Sequence, residues 1–107
     1  GQAPAVVESH ARPGVLTADD PLIVEVYNNA PGVEVDVTIE LYDYRGALVA
    51  LSPQMVARSG YDTPALVRWE PRLQMGGALT PGLYIYRLRM TQGDSLPAYC
   101  SGKIVVR

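Results

Sequence analysis

Cys100 and His10 are the side chains that first suggest covalent chemistry, since the chain has one cysteine and one histidine. A nucleophilic thiol needs a lowered pKa and a base within hydrogen-bonding reach. The two residues lie at opposite ends of the sequence, and no Asn or Asp is placed to orient the imidazole. Because a free cysteine is most often buried as a small apolar side chain, we interpret Cys100 as structural and predict no catalytic residue.

Metal coordination by His10 with Asp19 and Asp20 is the next chemistry that the residue types allow. Zinc takes three or four nitrogen, sulfur or oxygen ligands. One histidine without a cysteine pair does not supply the usual ligand set. The two aspartates precede a proline and are more simply a turn, and no EF-hand spacing occurs. The glycine pair at 76–77 is not followed by the Lys and Ser or Thr of a phosphate-binding loop. We therefore predict no metal site, no cofactor and no small-molecule substrate.

Three carboxylates, those of Glu34, Asp36 and Glu40, fall on one side of a predicted strand. Glycoside hydrolysis requires two acids that face each other across a cleft. Acids that follow one another along a single exposed strand face do not meet that requirement, so we interpret them as a solvated surface. Basic residues of a neighbouring strand, Arg87 or Arg89, can form cross-strand pairs with them.

Trp69, Tyr84 and Tyr86 are the aromatic residues that could form a carbohydrate platform. Aromatic residues on one strand face are more often part of a sandwich core, with the hydroxyl or indole N–H bonded at the rim. We predict that these three are buried. A carbohydrate-binding module remains a weaker alternative, and it requires an exposed row of aromatic side chains.

Composition excludes several classes of partner. The chain has 107 residues, with 9 basic and 11 acidic side chains and a formal net charge of −2, so no basic surplus is available for nucleic acid. No apolar run approaches the roughly 18 residues of a membrane helix, so membrane insertion is not expected. The start, Gly1 to Pro4, lacks the charged and apolar regions of a signal peptide, and we interpret the chain as a fragment of a longer protein.

The elements that must position these residues are strands. Apolar residues occupy every second position from Val33 to Leu41, with charged or polar residues between them, which predicts a strand over Val33–Tyr42 with one buried face. Asp43 to Gly46 has the composition of a type I turn with glycine in the left-handed position. This turn joins the strand to a second one over Ala47–Leu51, as an antiparallel hairpin.

Turn residues delimit the other strands at intervals of about 8–12 residues, the spacing typical of a two-sheet sandwich. The fold class we predict is all-β: one immunoglobulin-like β-sandwich of about seven antiparallel strands in two sheets. It is a single domain over residues 1–107, with its strand-rich part over 5–107. The remaining predicted strands are Ala5–Ser9, Leu22–Tyr27, Ala65–Glu70 and Leu83–Thr91, followed by a last strand or a pair of short strands over Pro97–Arg107. The predicted core and structural residues are Val35, Val37, Ile39, Leu41, Gly46, Trp69, Gly82, Tyr84, Tyr86 and Leu88.

Four segments occur in an order that resembles a known family: VTIELYDYRGALV at 37–49, the lone Trp69, TPGLYIYRLRM at 80–90 and SGKIVVR at 101–107. The chain resembles the FlgD-like immunoglobulin fold of C-terminal domains in type IX secretion. Within that family the C-terminal domain of the sortase is the closest match, on His10 to Pro13 and Gly82 to Leu88. One departure is Trp69 followed by Glu and Pro, where the family has Asp or Asn and then Gly, and this puts any function of the following loop in doubt.

The resemblance implies a non-enzymatic recognition domain at the C-terminal end of a larger protein. Such domains direct translocation across the outer membrane of a Gram-negative cell and retention at the cell surface. Their partners would be protein components of the type IX translocon or of the outer-membrane attachment complex, and a sortase's cysteine-peptidase domain would lie upstream of this chain. The alternative is a structural or adhesive immunoglobulin-like spacer of a surface protein.

The terminal strand is the candidate recognition element. A strand at a sheet edge offers unpaired backbone groups, which partners commonly bind by adding a strand of their own. The alternative is that the strand only completes its sheet. The candidate residues are Gly102, Lys103, Ile104, Val105, Val106 and Arg107.

Overall fold

The computed structural model describes residues 6–12, 14–28, 32–58, 60, 63–74 and 76–107. The predicted first residue of the first strand, Ala5, and the predicted turn residues at 29–31 lie outside these ranges. Nine strands form within the described part: β1 (Val6–Arg12), β2 (Val15–Leu16), β3 (Leu22–Asn28), β4 (Val35–Asp43), β5 (Leu48–Leu51), β6 (Met55–Ala57), β7 (Ala65–Trp69), β8 (Gly82–Thr91) and β9 (Ala98–Val106).

The strands form two sheets, which confirms the predicted all-β sandwich. The smaller sheet has the order β1-β3-β7, and the larger has the order β2-β9-β8-β4-β5, with β6 also paired to β4. Every pairing is antiparallel except that of β2 with β9, which is parallel. In the ranges listed above, no helix is long and apolar enough to cross a membrane.

Strand β4 shows how the sequence pattern becomes structure. Its odd-numbered residues from Val35 to Asp43 are buried, and its even-numbered residues are half-buried. The strand begins two residues later than predicted, because Val33 stays partly exposed outside the ladder. The alternation itself is confirmed and directs one face of β4 into the space between the sheets.

The core lies between the two sheets. Tyr84, Tyr86 and Leu88 of β8 are at most 4% exposed and share the core with Val24 and Val67 of the smaller sheet. Burial of a large apolar side chain contributes about 1.5–3 kcal/mol, so this layer holds the two sheets together. The predicted core residues that the structure buries are Val35, Val37, Ile39, Leu41, Trp69, Tyr84, Tyr86 and Leu88. The predicted structural glycines, Gly46 and Gly82, are exposed and have positive φ angles of 84° and 152°.

Strands β5 and β6 both pair with the same edge of β4, and Ser52 bridges the break between them. Pro53 follows and has no N–H to continue a ladder. The Ser52 hydroxyl accepts a hydrogen bond from the Ile39 N–H at 2.8 Å and donates to the Pro53 carbonyl at 2.9 Å. The Ser52 N–H also donates to the Ile39 carbonyl at 2.9 Å. A buried serine therefore satisfies the backbone of β4 where regular pairing is interrupted.

Strands β2 and β6 were missing from the sequence prediction, and the all-antiparallel arrangement was wrong in one place. The two strands have two and three residues, which is too short for a period of two to be recognised. Strand β2 pairs in parallel with the C-terminal end of β9 through Val15 with Val105 and Leu16 with Val106. Because β2 and β9 lie far apart in the sequence, no local sequence pattern indicates their pairing.

Candidate recognition surface

The turn between β4 and β5 forms one end of the candidate surface. The Gly46 N–H donates to the Asp43 carbonyl at 3.0 Å, and the Asp43 N–H donates to the Ala47 carbonyl at 3.0 Å. Gly46 has a φ of 84°, in the left-handed region that glycine adopts without strain. These bonds close the turn that the sequence predicts at 43–46.

The Asp43 side chain is buried and holds this turn from within. Its carboxylate accepts hydrogen bonds from the backbone N–H groups of Arg45 at 2.9 Å and Ala47 at 3.1 Å. The Arg45 guanidinium adds an ion pair at 3.0 Å. The hydrogen bond from the Ala47 N–H and those from Arg45 lower the pKa of Asp43, so the carboxylate is charged and fully partnered at neutral pH.

A cavity of about 390 Å³ opens beside this turn. It lies between the turn, the loop that precedes β8 and the first residues of β8, and its apolar lining includes Leu48, Val49, Leu73, Pro81 and Leu83.

Two polar side chains of the cavity wall, those of Asp43 and Tyr84, already have hydrogen-bond partners. The Tyr84 hydroxyl donates to the Thr80 carbonyl at 2.7 Å and lies 3.1 Å from the Thr80 hydroxyl. Asp43 is bonded as described above. The cavity is therefore more complementary to an apolar group than to a polar one.

The outer face of the larger sheet, turned away from the core, carries an unusual group of exposed apolar side chains. We call it the apolar patch: Val15, Leu48, Leu83, Ile85 and Val105, each between 37% and 44% exposed. Strand register makes it continuous, because Val105 pairs with both Val15 and Leu83, and Tyr42 lies between Ile85 and Leu48. Leu48 and Leu83 also line the cavity, so the patch leads into it. The solvated face of an antiparallel sheet is ordinarily polar, which marks this end of the sheet as a candidate contact surface.

A basic row lies next to the patch on the same outer face. It consists of Arg87, Arg89 and Lys103 of β8 and β9. Arg87 Nε lies 2.5 Å from Glu40 Oε1, which confirms the predicted cross-strand pairing of this carboxylate. The guanidinium also lies over the Tyr99 ring, 4.6 Å from its centroid. The hydrogen bond from Arg87 lowers the pKa of Glu40.

The terminal strand does not lie at the sheet edge along its whole length, so the edge-strand premise is corrected. Strand β9 lies between β8 and β2. The Val105 N–H donates to the Gly14 carbonyl at 2.9 Å, and the Arg107 N–H donates to the Leu16 carbonyl at 2.8 Å. The backbone of the last residues is therefore occupied, and their outward side chains are what a partner could contact.

The six candidate residues of this strand divide by position. Lys103, Val105 and Arg107 are exposed, whereas Ile104 and Val106 are buried in the core. Gly102 lies opposite Tyr86 in the ladder, and a Cβ atom at this position would be 2.3 Å from the tyrosine hydroxyl oxygen. Gly102 thus makes room for a core aromatic ring, and among the six candidates the side chains that a partner could contact are those of Lys103, Val105 and Arg107.

Cys100 has a neighbour that the sequence did not indicate. Strands β1 and β9 come together, and the Cys100 sulfur lies 3.0 Å from the Ser9 hydroxyl, which is itself 3.5 Å from the Tyr86 hydroxyl. His10 is the next residue of β1 and is directed to the opposite face of that strand. Burial raises the pKa of Tyr86. The arrangement is a small polar cluster at the sheet junction.

The aromatic residues considered for sugar binding are core residues. Trp69, Tyr84 and Tyr86 are 8%, 4% and 1% exposed, so they form no platform and the carbohydrate-binding alternative loses its basis. Among the residues that the structure describes, the well-exposed aromatic side chains are those of Tyr44 and Tyr99, which sequence reasoning did not single out.

The acidic residues form surface contacts. The Asp20 carboxylate accepts a hydrogen bond from the Thr17 N–H at 2.9 Å, in keeping with the predicted turn, and Glu34 pairs with Arg58. Over the ranges that the structure describes, no group of three or more His, Cys, Asp or Glu side chains is arranged to hold a metal ion.

Comparison with known proteins identifies structures of similar fold and does not identify a family. No protein-family pattern and no curated protein matches the sequence. The structure is similar to part of dimeric latent PorU from Porphyromonas gingivalis, with a TM-score of 0.62 and 18% identity over 97% of this chain and 9% of PorU. It is also similar to CopC from Methylosinus trichosporium OB3b, with a TM-score of 0.52 and 18% identity over 96% of this chain and 92% of CopC. At these identities the likeness is one of fold.

Proposed function

We propose that this chain is a non-catalytic recognition domain of the type IX secretion system, related to the C-terminal domain of PorU. Its sequence resembles that family in four ordered segments, and its fold is similar to a portion of PorU about as large as the chain itself. In this proposal the domain belongs to a larger protein that is exported through the periplasm and held at the outer membrane or cell surface. Its partners are protein components of the translocon or of the attachment complex.

The observation that carries the proposal is that the terminal strand, β9, contributes exposed side chains to the outer face of the larger sheet. Ile104 and Val106 anchor β9 in the core, while Lys103 and Val105 point outward beside Leu83 of β8. Recognition therefore depends on the folded domain, since these outward side chains belong to one surface only when β9 is inserted. The partner would read side chains on this surface and not a free backbone edge.

The test is export of a reporter protein fused to this chain in a Gram-negative bacterium that has a type IX system. Lys103→Glu and Val105→Asp should reduce the reporter at the cell surface and leave it in the periplasm. Arg68→Glu and Leu66→Asp are matched controls on an exposed strand of the smaller sheet and should leave export unchanged. Thermal unfolding of each purified variant shows whether the domain still folds.

Unchanged export with both outer-face variants, or equal export of a fusion that lacks residues 101–107, would contradict the proposal. That result would favour the spacer alternative, in which the domain separates other parts of a surface protein and is not read. Deletion alone is a weaker test than the substitutions. It removes Ile104 and Val106 from the core, so a loss of export after deletion does not separate recognition from folding.

A further inference from the structure

The apolar patch and the cavity form one continuous surface that nothing in the described structure covers. Leu48 and Leu83 belong to both, so an apolar group on the patch has direct access to the cavity. Interfaces between proteins concentrate binding energy where a large apolar or aromatic side chain fills such a pocket. A volume of about 390 Å³ accommodates a side chain of that size.

The charged residues beside the patch indicate which charge a partner of this surface would carry. The outward side chains of β8 and β9 include three basic residues and no acidic one, whereas the acidic residues of the same sheet face, Asp36 and Glu40, lie on β4. Arg87 is neutralised by Glu40 of β4. Within the described part of the chain, Lys103 and Arg89 form no ion pair within 4 Å. The pKa of Glu40 is lowered by the hydrogen bond from Arg87 and, at longer range, by the charge of Arg89. Two exposed cations beside an apolar patch are complementary to a partner that carries apolar side chains and carboxylates.

We propose that the outer face of β8 and β9 docks an apolar, acidic segment of a partner protein. One apolar side chain of that segment enters the cavity beside Leu83, and its carboxylates lie over Lys103 and Arg89. The cavity favours an apolar side chain because much of its lining is apolar, and because the Asp43 carboxylate and the Tyr84 hydroxyl already have partners in the wall. The inference rests on the proposed function in one respect only, namely that the partner is a component of the export machinery.

The direct test uses the purified 107-residue chain, labelled with ¹⁵N, and two blocked heptapeptides. In the first peptide Asp alternates with Leu, Trp and Leu, and in the second Lys replaces every Asp. The first peptide should shift the amide resonances of Leu83, Ile85 and Lys103, and the shifts should weaken at high salt because exposed charges are screened. The Lys peptide should cause no such shifts.

Variants locate the contact. Leu83→Asp and Lys103→Glu should each weaken binding of the acidic peptide at least tenfold, the effect expected when a central contact of about 1.4 kcal/mol or more is lost. Leu66→Asp and Arg68→Glu repeat the same changes on the smaller sheet and should leave affinity unchanged. Lys103→Glu changes an exposed side chain, so it keeps the test valid even if Leu83→Asp destabilises the fold.

Three results would overturn the inference: no shifts with the acidic peptide, equal shifts with both peptides, or shifts that map to the smaller sheet. Vesicles of phosphatidylglycerol supply the other source of apolar and anionic groups, and binding to vesicles without binding to the acidic peptide would identify a membrane surface as the occupant, against the inference. The proposed function is tested separately. Export that depends on Lys103 in a chain that binds no acidic peptide would retain the proposed function and reject this inference.

Discussion

Gly102 allows the packing of the sandwich to be tested with a single methyl group. In Gly102→Ala the new Cβ would lie 2.3 Å from the Tyr86 hydroxyl oxygen, 2.5 Å from Cζ and 2.6 Å from Cε2. Carbon atoms in contact are normally about 3.5–4.0 Å apart, so the ring must move by about 1 Å or the strands must separate. Tyr86 is 1% exposed and belongs to the hydrophobic core, so a shift of its ring displaces other core side chains.

The size of the effect follows from two opposing contributions. Overpacking a well-filled core costs about 1–3 kcal/mol. Replacing glycine by alanine in a permitted backbone conformation returns about 0.4–1 kcal/mol through the entropy of the unfolded chain. The net loss of unfolding free energy is therefore between about 0 and about 2.6 kcal/mol. A loss near 1.5 kcal/mol lowers the Tm of a domain of this size by about 6–12 °C.

The assay is thermal and urea unfolding followed by circular dichroism. Gly14→Ala is the matched control, because a Cβ at Gly14 meets nothing within 4 Å and should be neutral or slightly stabilising. Tyr86→Leu removes the atoms that clash. In that background Gly102→Ala should cost little, which gives a coupling energy of about 1–3 kcal/mol in the double-mutant cycle. The packing argument is wrong if Gly102→Ala is as harmless as Gly14→Ala, or if its cost persists alongside Tyr86→Leu.

Two further predictions concern hydrogen bonds of β4. The pKa of Glu40 is lowered by the hydrogen bond from Arg87, so this pair stabilises the fold above the unfolded pKa, about 4.3, and its contribution is lost as the pH falls through the lower folded pKa. Glu40→Gln should therefore unfold more easily than the wild type at pH 7, and the difference in unfolding free energy should shrink at acidic pH; a constant difference would contradict the assignment. Ser52→Ala leaves the buried Ile39 N–H without its acceptor and should lower the unfolding free energy in urea by about 1–3 kcal/mol. Exposed Ser101→Ala should have no effect, and equal losses in the two variants would show that the hydroxyl of Ser52 is unimportant.

The fold could be predicted from the sequence wherever a strand is long and has one solvent-exposed face. In β4 and β8 the alternation is sustained over nine and ten residues, and the buried set followed from it directly. The turn at Asp43 to Gly46 was equally readable, because its residue types each satisfy a local backbone requirement. These features depend on residues that are adjacent in the sequence, so they can be predicted from one amino-acid sequence.

The candidate surface could not be predicted in the same way. Its patch needs Val105 beside Val15 and Leu83, and Tyr42 between Ile85 and Leu48; these neighbours are set by strand order, which no local pattern specifies. The same limit explains why Ser9 was not expected against Cys100. Gly102 was assigned to recognition because it lies in the terminal strand, and its packing role became visible only when the register placed it opposite Tyr86.

Insertion of β9 between β2 and β8 has a consequence for synthesis. The larger sheet cannot be completed until residues 98–106 have been synthesised, because β2 and β8 both pair with β9. Pairings of such long range form slowly, so the nascent polypeptide spends its emergence with two open strand edges. A polypeptide that ends before Ala98 lacks the partner of β2 and β8, so it cannot assemble the outer face. Formation of this face is therefore coupled to completion of β9.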